Sequence, residues 1–179
     1  MPMSNIKPHV VLLASPGMGH LIPVIELAKR LHTHHGFLVT IVVVTTDTTT
    51  TRSHILHHTS NLPSLNVLIL PTLDVSHKLG PNPSVVARLN LTMIESLPLL
   101  RSSILSMNPS PSALIVDLFG TPALPMAREL GMLSYVFLIY GGKGGDRKGS
   151  EEDYGGGRRG EDKSESERAK GPFIKCYGA

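Results

Sequence analysis

Four short runs rich in valine, leucine and isoleucine constrain this 179-residue chain more than any other feature. Each run is five to eight residues long, which is typical of a strand that is buried on both faces of a sheet. Helical patterns lie between and after the runs, and strands that alternate with helices indicate a parallel sheet covered on both sides. The sequence therefore predicts an α/β fold with strands at residues 9–14, 37–44, 66–70 and 113–117.

Three segments have a helical pattern. In residues 21–31 the apolar side chains recur at three- and four-residue spacing, and Gly36 is expected to end that helix. The other two patterns cover residues 84–107, with an interruption at Pro98, and residues 121–130.

The composition of the chain changes abruptly after residue 137. Residues 1–137 contain 14 charged side chains, whereas the 42 residues that follow contain 17 of them and 11 of the 17 glycines. A segment with so few apolar residues cannot offset the entropy lost on ordering. We therefore predict a globular domain at residues 1–137 and a disordered tail at residues 138–179, in which residues 173–177 could still make a local contact.

Charge and cysteine content exclude several classes of protein. A net charge of +3 without a basic cluster in the apolar part argues against a nucleic-acid partner. No apolar run approaches the ~18–20 residues of a membrane span, and no secretory leader is recognisable. The single cysteine, Cys176, excludes an internal disulfide framework and suits a reducing compartment, so we expect a cytoplasmic protein that binds neither nucleic acid nor membrane.

In a parallel sheet of this kind, ligands bind at the carboxyl ends of the strands. Residues 15–20, 45–51 and 117–120 follow three of the predicted strands, and we expect them to open onto one crevice. Gly17 and Gly19 would allow a close approach to a phosphate there. The dinucleotide fingerprint is incomplete, however, because Ile22 replaces its third glycine and Asp47 lies far downstream. A nucleotide-dependent oxidoreductase is therefore a weak alternative.

His20 and Asp117 are the strongest candidates for chemistry in this crevice. Histidine is suited to proton transfer near neutral pH, and a carboxylate bonded to one ring nitrogen fixes the tautomer in which the other nitrogen is basic. The simpler interpretation is that His20 lies in water at the start of a helix. Ser15 is the nearby serine that a hydrolase would need, but no Gly-x-Ser-x-Gly motif is present.

Seven further histidines do not predict a metal site. They are expected at a helix end or in polar loops, without cysteine or carboxylate companions at ligand spacing. We interpret them as solvated side chains: His32, His34, His35, His54, His57, His58 and His77.

Four segments resemble one family of plant enzymes. They are PHVVLLASPGMGHLIP at residues 8–23, ELAKRL at 26–31, ALIVDLFG at 113–120 and MARELG at 126–131. The sequence of residues 6–137 resembles the plant family-1 UDP-glycosyltransferases, and within them the hydroquinone and monolignol glucosyltransferases. The resemblance implies a two-domain GT-B enzyme whose N-terminal Rossmann-like domain binds the acceptor and whose C-terminal domain binds the UDP-sugar.

The resemblance also assigns roles to residues of this chain. It implies that His20 is the general base that deprotonates a phenolic acceptor hydroxyl and that Asp117 orients it. The activated oxygen would then displace UDP from UDP-glucose with inversion, and no other cofactor would be needed. Leu118 and Phe119 would line the acceptor pocket. A weaker implication is that the loop that contains Ser15 and Gly19 approaches the sugar or the phosphates of the donor.

The chain also departs from the family pattern. The donor signature of the family begins with tryptophan and contains a second one, whereas this chain has none. The tail matches no part of the family. We therefore expect an incomplete sheet and a chain that is inactive alone and binds a UDP-sugar only if the missing domain is supplied. The alternative is a non-catalytic truncated product or a small-molecule-binding fragment.

Overall fold

The computed structural model describes residues 7–59, 65–139 and 174–178. Within these residues, five parallel strands and one antiparallel strand form a single sheet, which confirms the predicted α/β class. The strand order is β3-β2-β1-β4-β5-β6. The strands are β1 (His9–Ala14), β2 (Leu38–Val43), β3 (Asn66–Ile69), β4 (Ala113–Val116), β5 (Leu133–Ile139) and β6 (Ile174–Gly178).

Five helices accompany this sheet in the described part of the chain. Gly36 ends the first of them in the left-handed conformation, with φ of 66°, as its position after the helical pattern predicts. Two short 3₁₀ turns cover Ser76–Lys78 and Leu118–Ala123. The helices are α1 (Met18–His35), α2 (Thr48–Thr59), α3 (Val85–Glu95), α4 (Leu97–Leu105) and α5 (Leu124–Glu129).

The helices cover both faces of the sheet. Leu12 of β1 packs in one cluster with Ile25 of α1 and Ile55 of α2. Leu13 points to the opposite face, where it packs in a second cluster with helices α3, α4 and α5, for example with Met93 of α3. Because successive residues of a strand face opposite sides, a strand covered on both faces is apolar throughout, and every residue of β1 is buried.

The order of the strands creates a switch point between β1 and β4. The chain runs from β1 to β2 and β3 on one side, then returns to β4 on the other side of β1. Leu13 and Val116 are paired near the carboxyl ends of these two strands. The residues that follow each strand therefore lie at the point where sheets of this type bind ligands.

The segment after β2 forms a helix that the sequence patterns did not single out. His57 and His58 lie in the last turn of α2, which agrees with a helix end, whereas His54 lies inside the helix and not in a polar loop. Asp47 explains why a threonine-rich segment begins a helix here, because its carboxylate accepts hydrogen bonds from the backbone N–H groups of Thr49 at 2.9 Å and Thr50 at 3.2 Å. The Thr50 hydroxyl also donates to it at 2.5 Å.

Two short parts of the predicted tail are ordered. Leu138 and Ile139 extend β5 beyond residue 137, and residues 174–178 form β6, which pairs antiparallel with β5. A strand at a sheet edge presents unpaired N–H and C=O groups, so pairing with this segment satisfies groups that β5 would otherwise expose. Residues 140–173, for which disorder was also expected, lie outside the described residues.

None of the helices in residues 7–59 and 65–139 combines the length and the apolar character needed to cross a membrane.

The cap of α2 leads to a prediction about pH. The hydrogen bonds from Thr50 and then Thr49 lower the pKa of Asp47 below its ordinary value of 3.8. A carboxyl group whose pKa is lowered by folding contributes stability above its unfolded pKa, and that contribution is lost as the pH falls through the folded value. In Asp47→Asn the capping oxygen is retained but the titration is removed. We expect a higher melting temperature for the wild type at pH 7, and a difference that shrinks as the pH falls below about 4 and the Asp47 carboxylate of the wild type is protonated.

Thermal unfolding of both proteins followed by circular dichroism between pH 7 and pH 3 measures this difference. Parallel melting temperatures for wild type and variant over the whole range would contradict the role of the Asp47 carboxylate.

Candidate functional site

Ser15 and Asp117 meet at the switch point because each directly follows one of two neighbouring strands. Ser15 comes after β1 and Asp117 after β4, and their side chains are in contact. Asp117 is 1% exposed. Burying a carboxylate costs folding free energy unless other groups donate hydrogen bonds to it, so the charge at this position requires hydrogen-bond donors.

Three hydrogen bonds satisfy the Asp117 carboxylate. Its Oδ1 accepts from the Ser15 hydroxyl at 2.5 Å and from the backbone N–H of Gly120 at 2.9 Å. Its Oδ2 accepts from the backbone N–H of Ser15 at 3.1 Å. Asp117 is thereby also the N-cap of the 3₁₀ turn at Leu118–Ala123. These donors fix the carboxylate in one orientation.

His20 completes the group from the first turn of α1. Its Nδ1 lies 3.2 Å from Oδ2 of Asp117, and its side chain is 28% exposed, compared with 2% for the aspartate. A neutral imidazole that donates its Nδ1–H to this carboxylate has Nε2 as its basic nitrogen. An imidazole held in this way can accept a proton at Nε2, and the carboxylate would stabilise the imidazolium that forms.

The two apolar residues predicted beside the aspartate also lie at this site. The ring of Phe119 packs edge-to-face against the His20 imidazole, with 5.3 Å between ring centroids and an interplanar angle of 77°. Leu118 directly follows Asp117 and is 59% exposed. The His20 imidazole thus contacts one apolar ring, and an exposed leucine directly follows its partner Asp117 in the chain.

Ser15 and Gly19, the remaining predicted residues, have different surroundings. Ser15 is 1% exposed, and its hydroxyl donates to Asp117. In a Ser-His-Asp hydrolase the serine hydroxyl donates to the histidine, so the contacts of Ser15 do not support that alternative. Gly19 is an exposed residue of the first turn of α1.

Asp47 does not support a dinucleotide site. Both of its carboxylate oxygens accept hydrogen bonds at the start of α2, where they cap the helix. The observed contacts of Asp47 are thus those of a helix cap.

The other histidines lie away from this group. His9 is 4% exposed, and its ring contacts the carbonyl oxygen of Pro109 at 2.6 Å and the Thr40 hydroxyl at 2.9 Å. It lies at the opposite end of β1 from Ser15, where it contacts both the neighbouring strand β2 and the connection between α4 and β4. Over the described ranges, no three His, Cys, Asp or Glu side chains are arranged to hold a metal ion.

Gly120 is the residue that sequence analysis missed. A Cβ atom on Gly120 would lie 2.8 Å from the Cβ of Val116 and 3.4 Å from Oδ1 of Asp117, so the position has no room for a side chain. The absence of a side chain lets its N–H approach the carboxylate. The Asp-x-x-Gly spacing of residues 117–120 contains the signal, because an aspartate that caps a helical turn accepts from the N–H two or three residues later.

Comparison with known proteins gives a consistent set of relatives, although no family model matches the sequence. UDP-glycosyltransferase 72E3 of Arabidopsis thaliana is 48% identical over 136 residues, which are 76% of this chain and 27% of that protein. Anthocyanidin 3-O-glucosyltransferase 5 of Manihot esculenta is 42% identical over 134 residues, which are 75% of this chain and 28% of that protein.

A solved structure shows the same likeness in three dimensions. Phytolacca americana UGT2 complexed with UDP-2-fluoro-glucose and pterostilbene matches with a TM-score of 0.66 and 35% identity. The match covers 76% of this chain and 31% of that one. The chain thus spans between a quarter and a third of the length of these relatives.

The crowding at Gly120 predicts the effect of a single methyl group. In Gly120→Ala the added Cβ would force the turn away from Val116 and lengthen the hydrogen bond to Asp117. We expect a loss of about 1–3 kcal/mol in the free energy of unfolding, measured by urea denaturation of the full chain. Gly19→Ala is the matched control, because no heavy atom lies within 4 Å of the Cβ position there. Equal stabilities for the two variants would contradict the steric argument.

Proposed function

Because the chain belongs to the plant UDP-glycosyltransferases, we propose that it is the acceptor-binding part of an enzyme that transfers glucose from UDP-glucose to a phenolic hydroxyl. The acceptors we propose are small phenols of the hydroquinone or monolignol type. The observation that carries the proposal is the 3.2 Å contact between Nδ1 of His20 and Oδ2 of Asp117 at the switch point of the sheet.

The proposed reaction begins with proton transfer to His20. Nε2 accepts the proton of the acceptor hydroxyl, and the Asp117 carboxylate stabilises the imidazolium through Nδ1. The acceptor oxygen then attacks the anomeric carbon of the sugar, the bond to UDP breaks, and the configuration inverts. UDP-glucose is the co-substrate, and the proposal requires no cofactor.

The surroundings of His20 support an aromatic acceptor. Leu118 is largely exposed, and the Phe119 ring lies against the imidazole, so a flat ring can bury apolar area while its hydroxyl reaches Nε2. The related Phytolacca americana enzyme was solved with pterostilbene, an aromatic molecule. We therefore assign acceptor contacts to Leu118 and Phe119.

The donor is the part of the reaction that this chain supports least. The family signature for the UDP-sugar contains tryptophan, which the chain lacks, and the chain spans about a quarter of the relatives it matches. Within the loop after β1 we assign the donor-facing position to Gly19, since the Ser15 hydroxyl is engaged by Asp117. We propose that the chain binds acceptor but does not turn over unless a donor-binding domain is supplied.

A non-catalytic role is the second candidate. The exposed Leu118 beside a formed His20–Asp117 pair could bind a phenol without any transfer. One cysteine in the whole chain suits a reducing compartment, and in either role we place the protein in the cytoplasm.

The proposal can be tested in a chimera. Residues 1–137 of this chain would replace the matching segment of UDP-glycosyltransferase 72E3, and glucoside formation from hydroquinone and UDP-glucose would be measured. We expect activity in the chimera and a loss of about 10²–10⁴-fold in His20→Gln, because the general base is removed. His34→Gln, at an exposed position near the end of α1, is the control and should leave the rate unchanged.

Two results would contradict the proposal. If the His20→Gln chimera is as active as its parent, His20 is not the general base. If the parent chimera is folded but inactive, residues 1–137 are not an acceptor-binding domain of this kind. The full 179-residue chain is tested in parallel. Glucoside formation by that chain alone would contradict the proposed need for a separate donor domain.

A further inference from the structure

We propose that Ser15 is a positioning residue of the site, whose hydroxyl orients Asp117 so that the carboxylate holds His20 in its basic tautomer. The proposal rests on the proposed function of the His20–Asp117 pair, and it adds a third side chain to it. Ser15 touches neither His20 nor a substrate in this account. It acts through the carboxylate.

The two carboxylate oxygens of Asp117 have different tasks. Oδ1 accepts the Ser15 hydroxyl at 2.5 Å and the Gly120 N–H at 2.9 Å, and it is the anchored side of the group. Oδ2 lies 3.2 Å from Nδ1 of His20 and also accepts the backbone N–H of Ser15. If the anchor on Oδ1 is weakened, the carboxylate can rotate and Oδ2 moves relative to the imidazole.

The Ser15 hydroxyl is well suited to this task because it has a single proton to donate. That proton is directed to Oδ1 over the shortest contact in the group. Ser15 is also 1% exposed, so water does not compete for the carboxylate at this position. A hydrogen bond to a charged acceptor contributes more than one between neutral groups, about 1.5–3 kcal/mol.

The connection along the chain strengthens this interpretation. Ser15 directly follows β1, and His20 lies in the first turn of α1, so one β1–α1 connection and the helix start after it carry both side chains that contact Asp117. Gly17, with φ of +112°, makes the turn between them. The aspartate that follows β4 is therefore held by two residues only five positions apart in the chain.

The state of the imidazole provides a readout that does not depend on turnover. Full-length chain labelled with ¹⁵N at histidine would be studied by long-range ¹H–¹⁵N correlation at a pH where the imidazole is neutral, with His20 assigned through His20→Gln. We expect the Nδ1–H tautomer in the wild type. In Ser15→Ala the ratio of the Nδ1–H to the Nε2–H tautomer should fall by roughly threefold or more, since a charge-assisted hydrogen bond is lost.

Three further variants separate positioning from packing. Ser15→Thr retains a hydroxyl and should restore the wild-type ratio, and Ser15→Cys retains the volume but substitutes a weak donor, so it should resemble Ser15→Ala. Ser15→Cys also serves as the test if Ser15→Ala does not fold. Thr45→Ala is the matched control, because Thr45 is a buried hydroxyl that follows the neighbouring strand β2 and bonds to Thr51 instead.

The outcomes are distinct. A tautomer ratio unchanged in both Ser15→Ala and Ser15→Cys, or an equal change in Thr45→Ala, would overturn the positioning role. The same spectra do not depend on the proposed function. If the tautomer depends on Ser15 but the chimera transfers no glucose, only the proposed function is contradicted. If transfer depends on His20 but the tautomer does not depend on Ser15, only the inference about Ser15 is contradicted.

Discussion

The buried carboxylate of Asp117 is the interaction on which the rest of the site depends. A charge that is 1% exposed requires hydrogen-bond donors, and the fold provides them from two directions. Ser15 donates through its backbone and its hydroxyl from the end of β1, and Gly120 donates from the 3₁₀ turn after β4. With these bonds in place, the second oxygen of the carboxylate is held 3.2 Å from Nδ1 of His20.

The sheet order explains why these groups meet although about a hundred residues separate them. Strands β1 and β4 are neighbours because the chain reverses direction across the sheet after β3. Their apolar residues are buried under helices on both faces, so the polar residues begin where the strands end. The same geometry brings the start of α1, and His20 with it, to the switch point between β1 and β4. The alternation of buried strands and covering helices thus determines both the fold and the place where Ser15, His20 and Asp117 meet.

The sequence predicted the parts of the molecule in which local pattern and burial agree. The run from His9 to Ala14, the helix ended by Gly36, and the meeting of His20 with Asp117 followed from periodicity and from the rule for strand ends. Helix α2 was missed because its threonines favour other structures, and its start depends on the cap by Asp47. The hydrogen bond from the Ser15 hydroxyl to Asp117 could not be predicted, because it depends on atomic distances between the ends of β1 and β4. Gly120 was missed, although the Asp-x-x-Gly spacing of residues 117–120 contains its signal.

The most direct test of this account is the tautomer of His20 in the wild-type chain and in Asp117→Asn. Long-range ¹H–¹⁵N spectra at a pH where the imidazole is neutral report which ring nitrogen carries the proton. The account predicts a proton on Nδ1 in the wild type, and a shift of the population toward Nε2 when the asparagine removes the charge that holds it. A wild-type His20 protonated on Nε2, or a tautomer that Asp117→Asn leaves unchanged, would contradict it.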